Sequence, residues 1–150
     1  MVSRMKALLP ALALSLLCAC GGKQPLRPFY SDGCSLFPDG KVGDRRLWCD
    51  CCFQHDLAYW RGGTEEDRQR ADQALRRCVF ERTRDPRLAA VMYDGVRLGG
   101  SPVFPNWYRW AYGWPYGRTY EPLTGAEAAQ ASARLAEYYA KTPGGYCARQ

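Results

Sequence analysis

The sequence predicts a small, mainly α, disulfide-rich domain in which two long antiparallel helices are clamped by a disulfide, followed by a C-terminal helix. Three observations carry this. Two long helical stretches are separated only by Gly62-Gly63-Thr64, strand signals are few, and six cysteines follow residue 20. A chain of 150 residues is expected to form one domain with a modest core. Six is an even number, which suits three disulfides in an exported chain.

The first helix is expected over about Leu47–Arg61, with Gly62-Gly63 ending it. Thr64 caps the second, and Asp67 completes a capping-box-like pattern behind Glu65 and Glu66. Arg76, Arg77 and Arg82 lie towards its C-terminal end, where they oppose the helix dipole, and Asp85-Pro86 ends it near Arg84. The tight turn makes the pair antiparallel neighbours. A short helical piece is expected over Arg87–Gly95. The stretch 99–122 should be irregular, with Pro102, Pro105, Pro115 and Pro122. Thr124 caps a last helix over about Ala126–Lys141.

The N-terminus is read as a targeting segment. Arg4 and Lys6 precede an apolar run, Ala7–Leu17, that is too short to span a bilayer. Leu17-Cys18-Ala19-Cys20 resembles a bacterial lipobox, which makes Cys20 the expected lipid-modified residue. Residues 1–19 are then signal peptide, 20–30 tether and 31–150 folded domain. The implied location is the bacterial outer membrane or cell envelope, on its periplasmic or extracellular face. The cysteines left to pair are Cys34, Cys49, Cys51, Cys52, Cys78 and Cys147. The formal charge of +6 is spread over several segments, which suits an anionic surface. No basic block with interleaved aromatics suggests a nucleic-acid module.

The chemistry centres on "CDCCFQHDLAYWR", which holds the single histidine, His55. On a helix, Cys51 and Tyr59 lie one turn either side of His55, and Asp56 points about 100° away. Pairing His55 with Asp72 across the antiparallel helices brings Cys51 opposite Cys78. A disulfide would then clamp an Asp–His pair, the arrangement of a general base acting on water. Asp56, on another edge, is free to hold a cation that polarises an ester carbonyl. A zinc site from Cys49, Cys51, Cys52 and His55 has suitable ligand types, but an exported chain prefers disulfides.

Cys51-Cys52-x-x-His55-Asp56-x-x-Tyr59 and Ala71-Asp72-x-x-x-x-x-Cys78 resemble the two active-site helices of the secreted phospholipase A2 family. Ala58 and Ala71 replace two cysteines that bond to each other in that family. The match covers roughly residues 33–80. The resemblance implies a phospholipase A2-like fold and Ca²⁺-dependent hydrolysis of the sn-2 acyl ester of glycerophospholipids at a membrane surface. His55 would activate water, Asp72 would orient it, and Tyr59 would hold Asp72. Asp56 and a calcium loop, "DGCSLFPDG" from Asp32 to Gly40, would bind Ca²⁺. Counting back from Asp56 puts the loop carbonyls at Ser35, Phe37 and Asp39. The Phe37 N–H occupies the position of the family's oxyanion donor. The alternative is an inactive, membrane-tethered binding or envelope protein on the same scaffold.

The segment "FPNWYRWAYGWPYGRTY", residues 104–120, has two readings. It is either an aromatic core and lid, or an interfacial surface in which Arg109 and Arg118 favour anionic lipid.

Overall fold

The computed structural model describes residues 25–149, and the lipobox with Cys20 lies outside them. Four helices follow in order: α1 (Cys49–Arg61), α2 (Glu65–Thr83), α3 (Pro86–Gly99) and α4 (Gly125–Lys141). A 3₁₀ turn, Tyr146–Arg149, closes the chain. The described residues contain no strand, only an isolated bridge between Lys41 and Asp44.

Local chemistry explains three of the four helices. Thr64 Oγ1 accepts from the Asp67 N–H at 3.2 Å while the Asp67 carboxylate accepts from the Thr64 N–H at 2.9 Å, which completes the capping box of α2. Thr124 and Glu127 repeat the device on α4. Asp85 caps α3 through the N–H groups of Arg87 and Leu88, with Pro86 in its first turn. That cap starts α3 one residue before its expected start and carries it to Gly99, four residues beyond the expected end.

Helix α1 is different. Trp48 stands at its N-cap with no side-chain cap bond, and 13 residues are marginal for a free helix. All three disulfides of the described residues end on it: Cys34–Cys52, Cys49–Cys147 and Cys51–Cys78. Covalent staples and tertiary packing do here what capping does elsewhere. Gly62 ends α1 at φ +69°, and a Cβ there would lie 2.7 Å from that of Ala111.

The α1–α2 pair is antiparallel in register. Cys51 meets Cys78 with Cα atoms 5.6 Å apart, His55 meets Asp72, and Tyr59 meets Arg68. The core lies on both sides of α1. One cluster joins Phe53 and Trp60 to Leu26, Phe29, Trp110 and Trp114. The other joins Cys51 and Cys52 to Leu75, Val79, Ala89 and Met92.

The expected tether over 20–30 ends earlier than its stated boundary. Leu26 is fully buried, Phe29 stacks edge-on against Phe53 and Trp60, and the Arg27 carbonyl accepts from Trp60 Nε1. The domain therefore begins by Leu26 rather than at residue 31. The aromatic segment divides between its two readings. Trp110 and Trp114 are core, whereas Phe104, Trp107 and Tyr116 are exposed. Its arginines do not serve as surface charges. Arg109 is buried and donates to the carbonyls of Trp110, Ala111 and Trp114, and Arg118 pairs with Glu127.

Candidate active site

His55 projects from α1 towards α2, and its Nε2 lies 2.8 Å from Asp72 Oδ1. The Tyr59 hydroxyl donates to the same oxygen at 2.8 Å. Asp72 is 0 % exposed, so a carboxylate there requires compensation. Arg97 of α3 supplies it, donating to Oδ2 at 2.8 Å. Arg68 supports the group from one turn away on α2: its Nε donates to the Tyr59 hydroxyl at 3.0 Å. Burial alone would raise the Asp72 carboxyl. Hydrogen bonds from His55, Arg97 and Tyr59 outweigh it and hold the group below its usual range.

A carboxylate accepts only, so Nε2 of neutral His55 carries the proton and Nδ1 is the basic nitrogen. His55 lines a cavity of about 230 Å³ whose other walls are largely apolar, among them Leu36, Phe37, Leu75, Met92 and Val96. A base oriented by a buried carboxylate thus opens on a space suited to a hydrocarbon chain.

Asp56 lies on the neighbouring edge of α1 and also lines the cavity. It is 8 % exposed and accepts from the Ser31 hydroxyl at 2.6 Å. No lysine, arginine or histidine among the described residues forms an ion pair with it. Burial pushes its carboxyl well above the usual range. The Ser31 hydroxyl opposes this, and the charges of Asp32 and Asp39 add to it. Such a group is suited to a bound cation.

The loop before α1 fits a hard cation in part. No N–H among the described residues donates to the carbonyls of Ser35 or Phe37. The Asp39 carbonyl, in contrast, accepts from the Trp48 N–H at 3.1 Å. The Asp39 carboxylate accepts from the Cys34 N–H at 2.8 Å and folds over Gly33, where a Cβ would lie 2.2 Å from its Oδ1. Asp39 is thus the least suited of the three loop positions. The Phe37 N–H is not free for an oxyanion either, because it closes a turn on the Cys34 carbonyl at 3.1 Å. Among the described residues no three His, Cys, Asp or Glu side chains converge on a metal site. The zinc reading fails on chemistry, since Cys49, Cys51 and Cys52 are all in disulfides.

Sequence reasoning missed four participants: Arg68, Arg97, Ser31 and Tyr112. Arg68 was within reach, being four residues before Asp72 on the same helix. Arg97 and Ser31 arrive from other elements, and no spacing pointed to them. The Tyr112 hydroxyl binds the carbonyl of Tyr30 at 2.5 Å and that of Asp56 at 3.3 Å, tying the aromatic segment to the site. No protein-family model, curated protein or solved structure matches the chain.

Proposed function

We propose that the protein is a Ca²⁺-dependent phospholipase A2-like hydrolase, lipid-anchored through Cys20 in a bacterial envelope, with a phospholipase A2-like fold. The single observation that carries the reading is the buried Asp72–His55–Tyr59 triad opening on an apolar cavity beside the charge-unpaired Asp56. Cys51–Cys78 clamps this helix pair, the bridge expected from pairing His55 with Asp72.

The reaction breaks the sn-2 ester of a glycerophospholipid. His55 Nδ1 takes a proton from water, whose oxygen bonds to the acyl carbon. The C–O bond then breaks, and the departing alkoxide takes the proton back from the imidazolium, leaving a fatty acid and a lysophospholipid. Asp72 keeps His55 in one tautomer and stabilises its protonated form. Arg97 and Tyr59 hold Asp72 in place. The apolar cavity walls take up acyl chain and exclude water. Asp56 with the Ser35 and Phe37 carbonyls would hold Ca²⁺, which supplies positive charge to the ester carbonyl oxygen as negative charge develops there.

One observation favours the second reading, an inactive binding protein: the Phe37 N–H is already engaged, so a donor for the ester oxygen is lost. A phospholipid hydrolysis assay with Ca²⁺ or EGTA, and His55→Gln as control, decides between them. Calcium-dependent release of fatty acid that vanishes in His55→Gln supports the enzyme. No release by the wild-type chain supports the binding protein.

A further inference from the structure

Beside the active-site cavity lies a second groove that no step of the proposed reaction uses. Arg27, Tyr30, Pro105, Trp107, Tyr112 and Tyr116 line it. Tyr30, Trp107 and Tyr116 are each about 60 % exposed, and the adjoining Val103 and Phe104 are exposed as well. So much open aromatic surface is unusual on a small domain whose other four tryptophans are buried.

The patch is held rigidly. Tyr116 donates its hydroxyl to the Val103 carbonyl at 2.6 Å, and Trp107 Nε1 donates to Asp32 Oδ2 at 3.1 Å. Beneath them, the buried Arg109 guanidinium ties together three carbonyls of the same segment and lies 5.5 Å from the Tyr116 ring centre. Trp107 and Tyr116 thus show apolar faces while their polar tips are satisfied. The patch also runs into the active site. Asp32 accepts from Ser35 of the cavity-lining loop, and Tyr108, next to Trp107, lines the cavity itself.

We infer that this surface, centred on Trp107 and Tyr116 with Arg27 at its edge, seats in the headgroup layer of a phospholipid membrane and presents the cavity to it. Three features favour lipid as the occupant. Tryptophan and tyrosine with satisfied polar tips suit the boundary between headgroups and chains, and an exposed arginine suits lipid phosphate. The surface is continuous with an apolar cavity. The chain also enters the domain at this groove, since Arg27 lines it. Seven residue steps separate Cys20 from Arg27, a reach of at most roughly 25 Å. A lipid on Cys20 would therefore hold this face towards the bilayer. The choice of lipid rests on the proposed function, whereas the patch itself does not.

The tryptophans supply the test. Trp48, Trp60, Trp110 and Trp114 are buried, so Trp107 is the one exposed reporter among five. The full chain is reconstituted into phosphatidylethanolamine–phosphatidylglycerol vesicles with or without brominated acyl chains. A partial loss of emission in the brominated vesicles is expected, together with protection from aqueous iodide, and both should be absent in Trp107→Phe. Equal emission in the two vesicle types overturns the inference, as does a loss that persists in Trp107→Phe. If Trp107→Ala/Tyr116→Ala turns a dimer into a monomer in detergent solution, the surface belongs to a second copy and the inference fails. The fluorescence needs neither Ca²⁺ nor turnover. Absence of hydrolysis, measured separately on a short-chain monomeric phospholipid, would overturn the proposed function and leave the membrane face standing.

Discussion

The two carboxylates flanking His55 sit in opposite electrostatic circumstances. Asp72 is completely buried and met by an imidazole, a phenol and a guanidinium, all mounted on helices. Asp56 is nearly as buried, yet its partners are the neutral Ser31 hydroxyl and the Asp32 backbone N–H, and two acids stand near it. One side of the site is finished by the protein, whereas on the other burial and the neighbouring acids hold the Asp56 carboxyl well above its usual range, with no cationic side chain among the described residues paired to it. In the proposed reaction a base has to be in place before each turnover, so rigid helices suit it. The proposed Ca²⁺ site would gain from being incomplete, because the missing charge would drive binding.

The largest expected effect separates the two sides. His55→Gln should lower hydrolysis by about 10²–10⁴-fold, the usual contribution of a positioned base, and leave Ca²⁺ affinity nearly intact. Asp56→Asn should abolish both, because the cation loses its charged oxygen ligand. Calorimetric titration beside the assay reads the pattern. Equal losses of Ca²⁺ affinity in the two variants would put His55 on the metal and end the contrast. Asp72→Asn should lower activity less than His55→Gln does, because the imidazole stays and loses only the charge that stabilises its protonated form.

Next in size is the clamp. Replacing Cys51 and Cys78 together by alanine should cost about 2–5 kcal/mol in denaturant unfolding, because α1 has no side-chain cap to fall back on. A loss below about 1 kcal/mol would mean that packing alone holds α1 and α2 in register.

The carboxylates should also pull stability in opposite directions with pH. The folded-state pKa of Asp72 is depressed, so its contribution is present above the unfolded value and is lost as pH falls through the folded one. That of Asp56 is raised, so the folded state binds more protons. Metal-free stability should then fall as pH rises from the unfolded value through the folded one. Thermal unfolding in EGTA across pH should show this fall, Ca²⁺ should reverse it, and Asp56→Asn should remove both effects. A metal-free melting temperature that rises through the same window in wild type but not in Asp56→Asn would refute the assignment.

The smallest effects lie at the edges. Arg97→Gln should cost about 1–3 kcal/mol, as expected for losing a charged hydrogen bond to a buried carboxylate. Arg134→Ala, which breaks an exposed pair with Glu137 on α4, should change stability by less than about 1 kcal/mol. A larger effect at Arg134 than at Arg97 would reverse the ranking of buried over exposed charge on which the comparison rests.

What the sequence determined by itself was whatever follows from short-range periodicity. Thr64 with Asp67, Asp85 ahead of Pro86, and Thr124 with Glu127 set helix starts through bonds spanning two or three residues. The 3.6-residue repeat put Cys51, His55 and Tyr59 on one face, and a tight turn brought Cys78 and Asp72 opposite them. Only the tertiary structure decided the rest. Arg97 reaches Asp72 from α3, Ser31 reaches Asp56 from the loop, and Leu26 and Phe29 turn an expected tether into core. It also decided that Trp110 is buried while Trp107 is open, and that the loop spends the Phe37 N–H and the Asp39 carbonyl on its own turns. A regular helix repeats one geometry, so residue spacing reports direction. An irregular loop has no repeat, and the partners of its polar groups depend on contacts between segments far apart in the chain.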